Sequence, residues 1–188
     1  MSKELSFKSV KVDSWVWGKE AIIWGDKLEH KFTLKVLKPK VGKEGMLSLQ
    51  YHREKEEAWV VYSGKGWILL ASEGEVGTRI MKPGDFQTVP RGVIHRMMGL
   101  TNDFAVIEPS TPDVHAADKS KIKDVVRLHC VFGRECEKPK SLDQQTLVER
   151  CIQISEEALC LVEEGETPPE YNLNWVLKQG GGNLNSLF

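Results

Sequence analysis

The chain has 188 residues, 40% hydrophobic and 28% charged, with a formal net charge of −1. That length and composition suit one globular domain with a single sizeable core, and the interspersed charge excludes the basic footprint of a nucleic-acid or anionic-membrane binder. No stretch approaches the roughly 20 apolar residues of a membrane span, and residues 1–10 carry lysines without a signal-peptide apolar run, so a cytoplasmic location is expected.

In chain order, Phe32, Leu34 and Val36 alternate with polar residues, KPKVGKEG turns the chain, and Leu47, Leu49 and Tyr51 alternate again. A period of two marks strands. AWVVYSGKGWILLA follows, broken as a hairpin at Gly64 to Gly66, and then TRIM, the turn KPGD, FQTVP, VIHRMM, TND and FAVIE. About eight short strands with frequent turn signals predict a closed or double-sheet antiparallel β architecture.

Beyond Arg134 the period becomes helical. Ser141 is a candidate N-cap, Leu147, Cys151, Ile154, Ala158 and Leu161 form one apolar stripe, and Gly165 is a stop signal. Such a helix must pack its stripe on the strands or on a partner subunit. The tail from Thr167 to Phe188, with TPP and QGGGN, reads as weakly ordered, with Trp175, Val176 and Leu177 as its docking candidates. The expected organisation is therefore a barrel with N-terminal strands over residues 1–134 and a helical extension and tail packed on it over 135–188. Cys130, Cys136, Cys151 and Cys160 lack Cys-x-x-Cys spacing and read as free thiols.

Strand parity isolates the chemistry. Leu47, Leu49 and Tyr51 point one way while Ser48, Gln50, His52 and Glu54 point the other. The polar row either faces water or lines a barrel interior. In the second case another segment must bring a histidine to the same place, and KPGDFQTVPRGVIHRMM, with Pro90, Gly92 and His95, supplies one. His30, His115 and His129 match no such position and read as surface or capping residues.

These residues resemble the cupins. Gly45, His52, Glu54, Glu57 and Gly64 occupy the first cupin motif, with Glu54 where a second histidine is usual; Gly84, Pro90, Gly92 and His95 fit the second, with Gly99 in place of an asparagine. The resemblance sharpens toward the type II mannose-6-phosphate isomerase domain. VWG at Val16 to Gly18, LSLQYHREKEEAW at Leu47 to Trp59, PRGVIHR at Pro90 to Arg96, VIE at Val106 to Glu108 and KDVVRLHCVFGR at Lys123 to Arg134 carry it. Lys55 stands in place of the usual arginine and Ala58 in place of a histidine. The sequence has no Gly-rich nucleotide loop, so the guanylyl transfer of bifunctional relatives is not expected.

The resemblance implies an all-β cupin jelly roll (a double-stranded β-helix) with a C-terminal helical extension. It also implies one divalent metal, Mn, Fe, Ni or Zn, held by His52, Glu54, Glu57 and His95. An aldose–ketose isomerase acting on a sugar or sugar phosphate needs a Lewis acid and a base of near-neutral pKa. Glu54, Glu57 and His95 are the expected catalytic groups, with Glu54 or Glu56 as the base. Gln50 and the cations Lys35, Lys55, Arg79 and Arg91 are substrate-binding candidates; Arg96 is expected on the sheet exterior. Two other readings stay open: a non-haem iron dioxygenase and a non-catalytic sugar-binding cupin. A homodimer covering Phe32, Leu34 and Val36 is expected.

Overall fold

The computed structural model describes residues 10, 12–25, 27, 29–112, 118, 120–121 and 123–187; His115 lies outside them. The strands are β1 Val12–Trp15, β2 Gly18–Trp24, β3 Thr33–Pro39, β4 Leu49–His52, β5 Glu57–Ser63, β6 Gly66–Ser72, β7 Glu75–Met81, β8 Asp85–Val89, β9 Ile94–Gly99, β10 Ala105–Ser110, β11 Val125–His129 and β12 Gly181–Asn183. Two helices follow β11, α1 Leu142–Glu163 and α2 Leu173–Lys178. A seven-stranded sheet in the order β1-β2-β3-β10-β5-β8-β12 faces a five-stranded sheet in the order β11-β4-β9-β6-β7. The pairs between these strands are antiparallel, as expected for a jelly roll.

The strands legible from the sequence are β3 to β10. β6 shows why its run of apolar residues does not alternate. Ile68 and Leu70 enter the inner core between the sheets with Trp59, Val61, Met97 and Phe104, whereas Trp67, Leu69 and Ala71 face outward. That outer face is also buried, because α1 lies across it with Val148, Cys151 and Ala158 in the same cluster as Leu49, Val76 and Met98. A strand covered on both faces has no polar side to show. Each fully buried Leu, Ile or Met there contributes about 1.5–3 kcal/mol.

α1 begins as its sequence indicates: the Ser141 side chain accepts the Gln144 N–H at 3.2 Å. The helix ends where Gly165 takes φ 81°. The buried stripe runs Val148, Cys151, Ser155, Ala158, slightly rotated from the expected one, and Leu161 falls outside the packed cluster. Ser155 is tolerated there because its hydroxyl donates to the Cys151 carbonyl at 2.7 Å.

The tail departs from the expectation of weak order. Val176 of α2 is fully buried in the inner core, and β12 pairs with β8 through Gly181 to Gln87, Gly182 to Phe86 and Asn183 to Asp85. A Gly-Gly-Asn strand has no propensity signal; its place is fixed by tertiary hydrogen bonds such as Arg79 to the Gly182 carbonyl, 2.9 Å. Among the described residues no helix is long and apolar enough to cross a membrane.

Candidate metal centre

β4 carries Gln50 and His52 on its inner face and ends at His52. The chain bends through Arg53 and Glu54, and β5 then begins at Glu57. From the other side, the turn at Arg91 and Gly92 delivers His95 on β9. Gly92 sits at φ 78°, a conformation that favours glycine, and its N–H donates to the His52 carbonyl at 2.8 Å. That bond ties the two motif segments together. One ligand atom from each of His52, Glu57 and His95 lies within 4.8 Å of the others, and all three residues are buried.

Their outer contacts set the tautomers. His52 Nδ1 stands 3.0 Å from Asp124 Oδ2, and His95 Nδ1 stands 2.9 Å from the Val93 carbonyl. A carboxylate and a carbonyl only accept, so each Nδ1 carries the proton and each Nε2 presents a lone pair inward. His52 Nε2 lies 3.7 Å and His95 Nε2 3.5 Å from the Glu57 carboxylate. Burial, then the Lys55 charge, lowers the His52 pKa to about 4, and burial lowers that of His95 as well. Both rings are neutral ligands at neutral pH.

Behind Glu57 lies a buried charge cluster. Lys55 contacts Glu57 Oε2 and donates to Glu108 Oε1 at 3.1 Å. Burial opposes the Lys55 charge, but Glu108 and Glu57 outweigh it and hold its pKa well above the usual value. Burial likewise pushes the Glu57 carboxyl up, and the cation Lys55 with the two histidines overrides that, bringing it down to about 2. Glu108 goes the other way: burial, reinforced by the Glu57 charge, raises its pKa despite Lys55 and Lys35.

The structure does not bring Glu54 into this cluster. Its side chain is 83% exposed, and among the described residues its ion pair is with Arg91 at 4.0 Å. The strand alternation that placed it inside stops at His52, because both Asp124 oxygens hold the following turn, Oδ1 taking the Glu54 N–H and Oδ2 the Lys55 N–H. Lys55 consequently points in and Glu54 out. Arg91 is exposed on that rim, away from the cleft, and Glu56 is exposed as well. Arg79 is committed elsewhere, to Asp85 at 3.0 Å. Arg96 lies on the outer face as expected, but it is buried and donates to His129 Nδ1 at 2.8 Å. His129 is therefore a packing partner and His30 stacks on Trp24 at 4.4 Å.

The cluster lies in an open cleft of about 1580 Å³. Gln50, Lys35 and Lys55 are among the residues lining it, with Trp17, Trp59 and Phe132 as apolar walls. Gln50 Nε2 donates toward His95 Nε2 at 3.4 Å, and Lys35 lies 3.8 Å from Glu20. Among the lining residues that sequence reasoning missed are Glu108, Asp124, Arg127 and Arg134. All four stand in segments quoted for the resemblance, VIE and KDVVRLHCVFGR, yet neither segment carries a histidine pattern or turn signal that marks a site.

Comparison with protein families matches residues 28–123, just over half of the chain, to the family described as Cupin. The chain belongs to the cupin family. Among solved structures, this cupin is similar to the capsular polysaccharide assembling protein CapF from Staphylococcus aureus, at 18% identity and TM-score 0.52 over 67% of this chain and 33% of that one. It is also similar to CapF with the inhibitor 3-isopropenyl-tropolone, at 20% identity and TM-score 0.53 over 69% and 37%. The chain thus spans about a third of the length of these solved chains, and the likeness is one of fold. Comparison with curated proteins found no match.

The donor chemistry of the cluster fits a divalent ion. Two neutral imidazole lone pairs and one ionised carboxylate converge, and Glu57 keeps Oε1 directed to His95 while Oε2 meets Lys55. This set suits a borderline ion such as Mn, Fe, Ni or Zn with positions left open, and lacks the thiolates of a closed zinc site.

Proposed function

We propose that this cupin is a metal-dependent enzyme acting on a sugar or sugar phosphate, interconverting aldose and ketose as the mannose-6-phosphate isomerases it resembles do. One observation carries the reading: His52, Glu57 and His95 meet in a roomy cleft whose wall also holds a second, separately buried carboxylate, Glu108. The name of the similar fold CapF, a capsular polysaccharide assembling protein, is in keeping with a carbohydrate ligand.

The bound metal would polarise the substrate carbonyl and lower the pKa of the adjacent C–H. The chain's own residues do the rest. Gln50, held by Ser48 at 2.7 Å, has its amide placed to orient a hydroxyl beside His95. Trp17 and Trp59 offer apolar walls against which a sugar face can pack. Glu108 replaces Glu54 as the proposed base: it lines the cleft, its pKa is pushed upward, and Lys55 beside it stabilises the ionised form.

Loading the protein with Mn, Fe, Ni or Zn and screening aldose and ketose phosphates tests this. Interconversion of one pair, lost in His95→Ala, supports it. A second reading rests on the exclusion of Glu54, which leaves two histidines and one carboxylate, the donor set of non-haem Fe(II) oxygenases. Substrate-dependent oxygen uptake with Fe(II), without isomerisation, selects that reading. Sugar binding with neither activity selects a non-catalytic cupin.

The proposal includes a homodimer. Phe32, just before β3, and Trp24 at the end of β2 stack on each other and are about half exposed, beside the half-buried Leu34 and Val36, an apolar surface that pairing would cover. A strictly monomeric sedimentation profile at micromolar concentration removes this element.

A further inference from the structure

β11 places Arg127 on the inner face of the five-stranded sheet, since Val126 and Leu128 on either side belong to the outer cluster beneath α1. In register, Arg127 pairs with Gln50 and Gln50 pairs with His95. Neighbouring strands are about 4.8 Å apart, so Arg127 and His95 stand roughly 10 Å apart along the cleft wall. That is within the span of a six-carbon sugar bearing a terminal acid group.

Arg134 arrives beside it from the loop after β11. Its Nε donates to Cys130 Sγ at 3.1 Å and its Nη2 to Ser48 Oγ at 3.4 Å. Ser48 donates to Gln50 Oε1 at 2.7 Å, and Gln50 to His95 Nε2 at 3.4 Å. A directed hydrogen-bond chain therefore runs from this guanidinium to the metal cluster and holds Arg134 in place.

Among the described residues no carboxylate forms an ion pair with Arg127 or Arg134, and the nearby Glu137 is engaged bidentately by Arg53 at 2.9 and 3.0 Å. Arg127 Nε is buried with no hydrogen-bond partner. Burial and the neighbouring charge of Arg134 both act against the Arg127 charge. Two like charges facing one cleft without a paired carboxylate call for an anion, and a guanidinium pair matches an oxyanion in both charge and bidentate geometry.

We infer that Arg127 and Arg134 form an anion subsite of the cleft, binding the phosphate or carboxylate of an acidic sugar whose other end reaches the His52–Glu57–His95 cluster. The inference rests on the reading of the cleft as the substrate site, but not on the metal. Lys35, Lys55, Arg79 and Arg91, the candidate cations of the sequence, do not serve here: Lys35, Lys55 and Arg79 already have acidic partners, and Arg91 lies outside the cleft.

Calorimetric titration of the full chain with mannose 6-phosphate, glucuronate, inorganic phosphate and neutral mannose tests it, with and without metal. Wild type is expected to prefer an acidic ligand over mannose. Arg127→Gln and Arg134→Gln should each weaken that ligand roughly tenfold or more, with partial recovery in Arg127→Lys. Preference for mannose 6-phosphate and inorganic phosphate assigns a phosphate subsite; preference for glucuronate assigns a carboxylate subsite. Equal affinity for mannose and the acidic ligands, unchanged affinity in properly folded Arg127→Gln, or no binding of any acidic probe overturns the inference. Arginine-dependent anion binding by a protein that takes up no metal keeps this inference and sinks the metal reading instead.

Discussion

Asp124 accepts the His52 Nδ1–H at 3.0 Å from 72 positions away in sequence, and the same carboxylate takes the backbone N–H groups of Glu54 and Lys55. One side chain thus fixes the tautomer of a metal-facing histidine and shapes the turn that sends Glu54 out and Lys55 in. Asp124→Ala should lower metal affinity by about 10–100-fold, the usual cost of losing a carboxylate behind a ligating histidine. Metal titration against a competing chelator checks it, and unchanged affinity would mean that His52 needs no such support.

How much of this was legible beforehand follows from which contacts are local. Period-two alternation is a property of one strand, so it placed Gln50 and His52 correctly on an inner face. It failed at Glu54 because the strand stops there, and what stops it is Asp124, contributed by a distant segment with no distinguishing pattern. Arg127 and Arg134 escaped notice for the same reason, their neighbours being set by the register of β11 on β4. The Ser141 cap and Gly165 stop are local signals, and both ends of α1 were readable. β12 was not, since two glycines and an asparagine form a strand only where β8 offers an edge.

Lys55 is buried between Glu57 and Glu108. Lys55→Met keeps the volume and removes the only cation in contact with those two carboxylates among the described residues, leaving buried charge uncompensated. The expected loss of stability is about 3–5 kcal/mol in denaturant unfolding at neutral pH. The loss should shrink toward acid pH, where Glu108, its pKa already pushed up by burial, takes up a proton. A variant as stable as wild type at neutral pH would contradict the buried triad.

The histidines give metal-free protein a defined pH response. His52 falls from 6.5 to about 4 on folding and His95 is lowered too. Between those values the unfolded chain binds more protons than the folded one, so stability is full above 6.5 and declines as pH falls. The slope is about 1.4 kcal/mol per pH unit for His52, and His95 acts with the same sign. Glu57, lowered from 4.5 to about 2, extends the decline below that window with the same sign. Chelator-treated protein unfolded at pH 5 and pH 7 should show it, and His95→Gln should flatten the upper part.

The tail is part of the fold. Val176 is fully buried, and a Cβ on Gly77 would stand 2.5 Å from Val176 Cγ2 and 3.1 Å from the Asn172 carbonyl. Gly77→Ala should cost about 1–3 kcal/mol by overpacking this joint. Deletion of everything after Gly165, a segment whose composition reads as weakly ordered, should destabilise the barrel by more than that. Thermal unfolding of both variants decides it, and wild-type midpoints would show that α2 and β12 are dispensable.

The central claim is a metal held by His52, Glu57 and His95, with Glu54 outside the set. Elemental analysis of the purified protein after equilibration with Mn, Fe, Ni or Zn tests it most directly, using wild type, Glu54→Gln and His95→Ala in parallel. The account expects about one ion per chain in wild type and in Glu54→Gln, and almost none in His95→Ala. A wild-type protein that takes up no metal, or a Glu54→Gln variant that loses it as fully as His95→Ala does, would contradict the account.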